Sequence, residues 1–288
     1  MHVPVLLNET IALLDLKEND LVLDGTVGFG GHSSHILNAN TSIKIIGIDQ
    51  DPVAIAHSTE VLGDRATLVH GNFSNAKKLL SPIGIHSVTK ILIDLGISSY
   101  QLDSAGRGFS FMNDEPLDMQ MNPNGGRSAA HWLNTAPEKT MSDAFYNWGD
   151  LIHNRNLVQG IIQSRRKTPL KTTGELVMLV KQSYFFGSRP KMMKTMSQVF
   201  QAIRIAVNDE LGVIQRFLDN ELGILSVGGR VAIISFHSGE DRLIKQFFKA
   251  HTDQFRPINK KVVTAEQDEI RQNSRSKPAK LRVYERIG

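Results

Sequence analysis

Leu21-Val-Leu-Asp24-Gly25-Thr-Val-Gly28-Phe-Gly30-Gly31-His32-Ser33 is the stretch of the chain that decides its fold. Three apolar residues end in an aspartate, and glycines follow before helix-forming residues resume. This order is typical of a buried parallel strand, a tight loop and the start of a helix. Glycine lets a ligand approach the backbone, and a helix start offers N–H groups to an anion. The stretch predicts a nucleotide-like cofactor site, and a ligand-free βα turn is the alternative.

Three later segments repeat the pattern of an apolar strand that ends near a polar or aromatic residue. They are residues 43–49, 66–70 and 90–96, and Asp51-Pro52 is expected to open the helix after the first of them. Strands that alternate with helices predict an α/β fold with a doubly wound parallel sheet. Ligands of such sheets bind beyond the carboxyl ends of the strands. The residues at these ends are Asp24, Asp49, Phe73 and Asp94.

The sheet pattern stops after residue 102 and resumes after residue 200. The chain is loop-like from Tyr100 to about Pro123, and helical periodicity dominates from Ser128 to about Val180. This pattern predicts a helical substrate-recognition domain at 103–200 inserted into a discontinuous domain of 1–102 and 201–288. In the second part we expect a helix from Phe200 to about Leu222, a strand at 229–235 and a helix at 240–249. A loop-rich segment over 252–279 and a final strand at 280–284 complete the prediction.

The charge of the chain is concentrated in two segments. Residues 164–194 hold eight Lys and Arg against Glu175 alone, and residues 256–288 hold nine against four acids. Because the net charge is only +4, the rest of the chain is acidic, and the two segments predict a polyanion-binding face. Solvated helix faces are the alternative. The chain has no cysteine and no basic N-terminal leader, so we expect a cytoplasmic protein without disulfides.

Two cofactors fit an acid that lies about twenty residues beyond a glycine loop, since both NAD and S-adenosylmethionine (SAM) offer ribose hydroxyls. A dinucleotide loop needs G-x-G-x-x-G, whereas Gly28-Phe-Gly30-Gly31-His-Ser33 lacks the third glycine. Asp24 ahead of the loop suits a cofactor with an amine and a sulfonium centre. SAM is therefore favoured, and an NAD-dependent oxidoreductase is kept as an alternative. A non-catalytic RNA-binding protein is the other alternative, although it leaves the acids at the strand ends unexplained.

Several blocks of the sequence carry a more specific signal. They are His2-x-Pro4-Val-Leu-Leu-Asn8-Glu9, the loop Asp24 to Ser33, Asp94-Leu-Gly-x-Ser-Ser99-x-Gln101-Leu-Asp103, Arg107-Gly-Phe-Ser-Phe-Met112, Pro116-Leu-Asp-Met119, Phe200-Gln-Ala-x-Arg204-Ile, Ser235-Phe-His-Ser238 and Lys280-Leu-Arg-Val-x-Glu285-Arg286. Together they resemble the RsmH (MraW) family of bacterial SAM-dependent methyltransferases. That family modifies the exocyclic N4 of a cytidine, position 1402, in the decoding centre of 16S ribosomal RNA.

The resemblance implies a fold, a cofactor and a partner. It implies a Rossmann-like class I methyltransferase sheet with an inserted helical domain, no metal, and 16S rRNA of the small ribosomal subunit as partner. By position, the SAM contacts of the family fall on Gly30, Gly31, His32, Asp49, Phe73, Asp94 and Gln101. A core-packing role for Phe73 and a helix-capping role for His32 are the alternatives.

The catalytic residues are not assigned by the resemblance. The N4 lone pair is conjugated into the cytosine ring, so the amine must be aimed at the methyl group, and an acceptor for its proton would help. We expect backbone carbonyls at 95–97 to hold the amine together with Ser98 or Ser99. Asp118 and His237 are further candidates for the proton acceptor.

The chain departs from the family pattern at three places. Residues 194–199 read Lys-Thr-Met-Ser-Gln-Val where the family usually has His-Pro-Ala-Thr-Arg-Thr, which puts a phosphate contact at Gln198 in doubt. Gly239 stands where leucine is usual, and we expect it to loosen the start of its helix. The region 250–279 is shorter than is typical.

Overall fold

A computed structural model describes residues 4–103 and 106–288, so His2 lies outside the described residues. The chain divides into two compact units, Met1–Gly96 with Leu211–Gly288, and Ile97–Glu210. No helix within the described ranges is both long and apolar enough to cross a membrane. The helices in chain order are α1 (Leu7–Leu14), α2 (Gly31–Ala39), α3 (Pro52–Leu62), α4 (Ala76–Leu80), α5 (Ser99–Asp103), α6 (Ala129–Thr135), α7 (Glu138–Gly149), α8 (Arg155–Lys167), α9 (Thr173–Ser183), α10 (Arg189–Asn208), α11 (Glu210–Arg216), α12 (Ser238–Ala250) and α13 (Gln267–Gln272).

The first unit is built on one sheet, ordered β3-β2-β1-β4-β5-β8-β6 with β7 also paired to β8. The strands are β1 (Leu21–Asp24), β2 (Lys44–Asp49), β3 (Ala66–His70), β4 (Val88–Asp94), β5 (Leu225–Ser235), β6 (Phe255–Pro257), β7 (Val263–Thr264) and β8 (Lys280–Arg286). Strands β1 to β5 are parallel, and β8 runs antiparallel to β5. This arrangement confirms the predicted Rossmann-like α/β fold. The strand order reverses on either side of β1, and such a switch point is where α/β sheets bind ligands.

Both faces of the sheet are covered by apolar residues, which explains why its strands read as continuous hydrophobic runs. Along β4, Ile91 and Ile93 pack into one core while Leu92 packs into the other. Along β5, Val231 and Ile233 alternate in the same way with their neighbours. Packing on both faces therefore fixes the positions of the carboxyl ends of these strands relative to one another.

The helix predicted from Phe200 to about Leu222 has different bounds in the structure. Helix α10 begins at Arg189 instead of Phe200, and it ends at Asn208 because Asp209 adopts a left-handed conformation with φ 49°. A separate helix, α11, follows. Proline near the first position of α10 fixes its start, since proline suits only the first turn of a helix.

The segment 252–279, predicted as mostly loop, contains β6, β7 and α13. Both short strands pair with β8, which lies later in the chain. Short strands of this kind owe their conformation to the partner strand more than to their own composition. Their sequence alone therefore gave little signal.

The second unit, Ile97–Glu210, is a cluster of helices around its own apolar core. Its bounds lie before residue 103 and after residue 200 because α10 runs without a break to Asn208. One cation of the basic segment 164–194 is structural, since Arg165 Nη1 donates to the carbonyls of Leu133 and Ala136, both at 2.8 Å. The role of this unit in substrate recognition stays a prediction.

Within this unit, a loop carries two of the blocks that resemble the RsmH family. Arg107 donates from Nη2 to the carbonyl of Gln120 at 2.8 Å, and its own carbonyl accepts from the amide of Met119. Asn208 at the end of α10 donates to the carbonyl of Met119 at 2.8 Å. Gly108 has φ +68°, and a Cβ atom there would lie 2.3 Å from the carbonyl oxygen of Pro116.

Gly108→Ala should therefore destabilise the second unit by about 3 kcal/mol or more, since steric overlap adds to the strain of positive φ. Gly106→Ala is the matched control, because Gly106 has φ +85° and no atom of residues 4–103 or 106–288 lies within 4 Å of its Cβ position. The control should lose only about 1 kcal/mol. Urea unfolding followed by tryptophan fluorescence reports on this unit, since Trp132 and Trp148 are the two tryptophans of the chain. Equal losses in the two variants would contradict the steric argument.

Candidate active site

The glycine loop after β1 is fixed to the strands on both sides of it. The amide of Gly25 donates to a carbonyl of β4 at 2.9 Å, and the amide of Val27 donates to a carbonyl of β2 at 3.0 Å. Gly28 and Gly30 have φ of +51° and +77°, which favours glycine at both positions. Gly30 is the N-cap of α2 and has no side chain, so it makes no side-chain hydrogen bond to the backbone amides of the first turn of α2.

Asp24 is a structural part of this loop. Its Oδ1 accepts from the amide of Thr26 at 3.2 Å, and its Oδ2 accepts from Ser33 Oγ in α2 at 2.7 Å. Burial raises the pKa of Asp24 to about 6, against the hydrogen bonds from Ser33 and Thr26, which lower it. The carboxyl group therefore ties the end of β1 to the first turn of α2.

Asp49 ties the second strand to the same loop. Its Oδ2 accepts from the amide of Gly28 and its Oδ1 from the amide of Asp51, both at 2.8 Å. Burial raises the pKa of Asp49 to about 6, although these hydrogen bonds oppose the shift. Each carboxylate oxygen has a second lone pair, so a ribose hydroxyl can still donate to this group.

His32 and Asp94 form a pair at the ends of α2 and β4. His32 Nε2 lies 3.0 Å from the carbonyl oxygen of Val5, and Nδ1 lies 3.6 Å from Asp94 Oδ2. Asp94 Oδ1 is buried and accepts no hydrogen bond within the described part of the chain. Burial, followed by the charges of Asp24 and Glu240, raises the pKa of Asp94 well above its usual value.

The hydrogen bond to Val5 decides which nitrogen of His32 carries a proton. A carbonyl oxygen only accepts, so Nε2 must be the donor, and in the neutral ring Nδ1 is then bare. Nδ1 faces a carboxyl group whose pKa is raised. His32 Nδ1 therefore faces Asp94 Oδ2 at 3.6 Å, which is longer than a hydrogen bond. The side chain of His32 links α2 to the N-terminal segment through Val5, and its contact with a cofactor stays a prediction.

The N-terminal segment holds His32 in place, and a residue near the C-terminus holds that segment. A Cβ atom at Gly31 would lie 2.9 Å from Pro4 Cγ, so Pro4 packs directly on the start of α2. Leu6 adopts φ 52°, and its amide donates to Glu269 Oε1 of α13 at 2.9 Å. Sequence reasoning missed Glu269, which is 263 positions from Leu6. No local pattern could have revealed this contact.

Phe73 has the core-packing role that we kept as its alternative. Its side chain is buried, and its ring meets that of Phe217 edge-on with centroids 5.3 Å apart. A Cβ atom at Gly25 would lie 3.0 Å from Phe73 Cβ and 2.4 Å from Ile93 Cδ1. Phe73 therefore packs directly against Gly25 of the glycine loop, and its contact with a cofactor stays a prediction.

In the second unit, Ser98 and Gln101 close the start of α5. The amide of Gln101 donates to Ser98 Oγ and the amide of Ser98 donates to Gln101 Oε1, both at 3.1 Å. This reciprocal arrangement is a capping box, and Ser-x-x-Gln is the sequence signal that could have predicted it. The side chain of Ser99 lies outside the described residues. Asp118 Oδ1 accepts from Gln120 Nε2 at 2.7 Å.

His237 caps α12 in the first unit. Its Nδ1 accepts from the amides of Gly239 and Glu240 at 3.2 and 3.3 Å, and Glu240 Oε2 accepts in return from the amide of His237 at 3.1 Å. Because Nδ1 accepts, Nε2 carries the proton of the neutral ring. The lone pair on Nδ1, which a proton acceptor would need, therefore already accepts hydrogen bonds from two backbone amides. The expectation that Gly239 loosens this helix was wrong, because a Cβ atom there would lie 3.1 Å from the His237 ring, and glycine leaves room for the cap.

We predict that Asp94→Asn stabilises the protein at alkaline pH in the absence of cofactor. A carboxyl group whose native pKa is raised costs stability once it is deprotonated, and this cost disappears as the pH falls. The free energy of unfolding should rise by about 1–3 kcal/mol at pH 8, the usual penalty for a buried unsatisfied polar atom, and by less at pH 5. Urea unfolding at both pH values measures the effect.

Asp241→Asn is the control of opposite sign. Burial opposes the shift, but hydrogen bonds and charges from Arg282 and Lys280 lower the pKa of Asp241. The control variant should lose stability at pH 8, since a carboxyl with a lowered native pKa stabilises the fold when ionised. A loss of stability in Asp94→Asn at pH 8 would contradict the prediction.

Known proteins resemble the chain over nearly its whole length. The model of the MraW methylase family matches residues 1–287. The relative from Marinomonas sp. (strain MWYL1), named "Ribosomal RNA small subunit methyltransferase H", is 39% identical, with 99% of this chain and 97% of the relative covered. Relatives of the same name from Desulfovibrio desulfuricans and Dictyoglomus thermophilum are 40% and 38% identical, with 99% of this chain covered in both comparisons and 94% and 97% of the relatives.

These matches confirm the resemblance that the sequence blocks carry. They also confirm methyltransferase activity and S-adenosylmethionine as the cofactor. The chain belongs to the MraW methylase family.

Proposed function

We propose that this protein methylates ribosomal RNA of the small subunit, 16S rRNA, on the exocyclic N4 of a cytidine. The observation that carries the proposal is the match of the whole chain to a methylase family whose relatives are named for that RNA. The strand-end carboxyl groups lie at the switch point of the sheet, where such a cofactor binds.

The residues of the crevice fit S-adenosylmethionine. Its amine and sulfonium are cationic, and Asp49 and Asp94 are half-buried carboxyl groups whose pKa values are raised by desolvation. A nearby cation favours the ionised form of such groups, and Asp94 Oδ1 has an acceptor position to offer. We assign the cofactor to Gly30, Gly31, His32, Asp49, Phe73, Asp94 and Gln101. When bound, S-adenosylmethionine supplies an activated methyl group on sulfur.

The rest of the chemistry is positioning of the amine and removal of its proton. Beyond Asp94 the chain leaves the strand conformation at Gly96, which has φ +99°. We assign the carbonyls at 95–97, with Ser98 or Ser99, to hold the N4 amine. His237 is a weak candidate for proton acceptor because Nδ1 is occupied by two backbone amides. Asp118 keeps its second carboxylate oxygen for this role.

The target base must be unpaired for this reaction, because a base inside a duplex presents N4 only at its edge. The exposed cations of the second unit are suited to the backbone of such an RNA.

Two alternative functions make different predictions. An NAD-dependent oxidoreductase would bind NAD in equilibrium dialysis, and a non-catalytic RNA-binding protein would leave the rRNA unmodified.

Nucleoside mass spectrometry of 16S rRNA from cells with and without the gene tests the proposal. We expect N4-methylated cytidine only when the gene is present, and purified protein with labelled S-adenosylmethionine should restore it in small subunits from the deletion strain. The Asp94→Asn variant is the folded control and should fail to restore the mark. Methylation of another atom, such as cytosine C5 or a ribose 2′-oxygen, would contradict the N4 assignment.

Glu269→Ala tests whether the N-terminal segment positions the cofactor site. Loss of the acceptor for the Leu6 amide should free the segment that orients His32 through Val5. A hydrogen bond to a charged group contributes about 1.5 kcal/mol, so the Kd for S-adenosylmethionine should rise roughly tenfold in isothermal titration calorimetry.

Two variants separate positioning from the loss of a surface charge. Glu269→Gln keeps an acceptor oxygen and should bind the cofactor almost as well as the unaltered protein. Asp268→Ala removes a neighbouring carboxylate of α13 that is 81% exposed, and it should leave the Kd unchanged. If Glu269→Gln weakened binding as much as Glu269→Ala, charge rather than positioning would be responsible.

A further inference from the structure

Phe185 is an aromatic side chain that the fold leaves in solvent. It is 99% exposed, in the connection between α9 and α10 of the second unit. Burial of a phenylalanine side chain stabilises a fold, and this position gains none of that stabilisation. Single exposed apolar side chains are common on protein surfaces, so the significance of Phe185 depends on the residues around it.

The surroundings of Phe185 are held in place by its two neighbours in sequence. Tyr184 and Phe186 both pack against the core of the second unit, and their ring centroids lie 6.0 Å apart. The residues on either side of Phe185 thus anchor the connection, and Phe185 is directed outward between them. The exposed ring is presented by a fixed backbone.

Four basic residues lie close to Phe185 in the sequence. Lys181 lies four positions before Phe185 and Arg189 four positions after it, and Lys191 and Lys194 follow in α10, all of them exposed. Within residues 4–103 and 106–288, no carboxylate lies within 4.0 Å of these four cations. The first turn of α10 contains no acid. The positive charge therefore faces solvent without internal compensation.

The combination favours one class of partner over the others. The exposed residues next to Phe185 in sequence include Gln182, Gly187 and Ser188, which add no large apolar side chain of the kind that a protein partner buries. An aromatic ring among cations is the arrangement that binds single-stranded RNA, in which a base stacks on the ring and phosphates meet the cations.

We propose that Phe185 stacks on an unpaired base of the RNA substrate, while Lys181, Arg189, Lys191 and Lys194 contact the phosphates beside that base. The proposal rests on the proposed function and deepens it, because it names an RNA-binding surface on the second unit. The surface is separate in sequence from every residue assigned to the cofactor.

Phe185→Ala in the full-length protein tests the stacking contact. Its Kd for a 16S rRNA transcript and for isolated small subunits, measured by filter binding, should rise about tenfold on at least one of them. Phe185→Trp should bind as well as the unaltered protein, because tryptophan also stacks. Met178→Ala is the matched control, since Met178 is an apolar side chain of α9 that is 57% exposed, and it should not change the Kd.

The salt dependence of binding separates stacking from phosphate contacts. Arg189→Gln should reduce the slope of log K against log salt by about 0.7, the value for one phosphate contact on a single strand. Phe185→Ala should leave this slope unchanged while it lowers affinity at every salt concentration. The Kd for S-adenosylmethionine should stay the same in both variants, as should the thermal unfolding temperature of Phe185→Ala.

The outcomes distinguish this proposal from the proposed function. If Phe185→Ala bound both RNAs as tightly as the unaltered protein while methylation of 16S rRNA proceeded, the stacking proposal would be overturned and the function would stand. If the unaltered protein bound RNA but methylated none, the function would fail while the effect of Phe185→Ala on binding could still be read. A change in self-association of Phe185→Ala, without a change in RNA affinity, would assign the ring to a second copy of the chain and overturn the proposal.

Discussion

The burial of carboxyl groups at one edge of the sheet is the constraint on which the rest of the first unit depends. Asp24 and Asp49 accept the backbone and hydroxyl donors that shape the glycine loop, so neither can be replaced by an apolar residue without loss of the loop. The burial that makes these hydrogen bonds strong also raises the pKa of Asp24 to about 6. Relative to an ordinary pKa of 3.8, this corresponds to about 3 kcal/mol of stability lost above pH 6. A cationic cofactor compensates such a cost only when it is bound.

Residues from both ends of the chain meet at this edge of the sheet, next to the carboxyl groups. His32 Nδ1 lies 3.6 Å from Asp94 Oδ2, and the ring is oriented through its other nitrogen, Nε2. Nε2 bonds to the carbonyl of Val5, and the chain beside Val5 is held in turn by the hydrogen bond from the Leu6 amide to Glu269 of α13. Residues from both ends of the sequence therefore fix the orientation of one histidine beside the Asp94 carboxyl group. The fold of the first unit is discontinuous in sequence but continuous through these hydrogen bonds.

The sequence was most informative where structure is local. The runs that became β1 to β5 were recognisable because both faces of the sheet are buried, and Asp51 with Pro52 opens α3 as predicted, with Asp51 Oδ1 accepting from the amide of Val53. It was least informative where a partner far along the chain decides the structure. The strands β6 and β7 exist because β8 pairs with them, and Glu269 acts on a residue near the other end of the chain. One local signal was also overlooked, since Ser98-x-x-Gln101 forms a capping box at the start of α5.

Aspartates at the carboxyl ends of neighbouring strands can have different physical tasks, and the number of hydrogen bonds that each one accepts distinguishes them. Both oxygens of Asp24 accept internal donors, so this residue builds the loop whether or not a ligand is present. Asp94 has a buried oxygen without a donor, in a crevice where neighbouring carboxylates disfavour its charge. Folding alone gains nothing from such a group, because an unsatisfied buried acceptor costs 1–3 kcal/mol. The residue that the fold tolerates at a cost is therefore the one to which we assign cofactor binding, and the sequence alone could not have ranked the two.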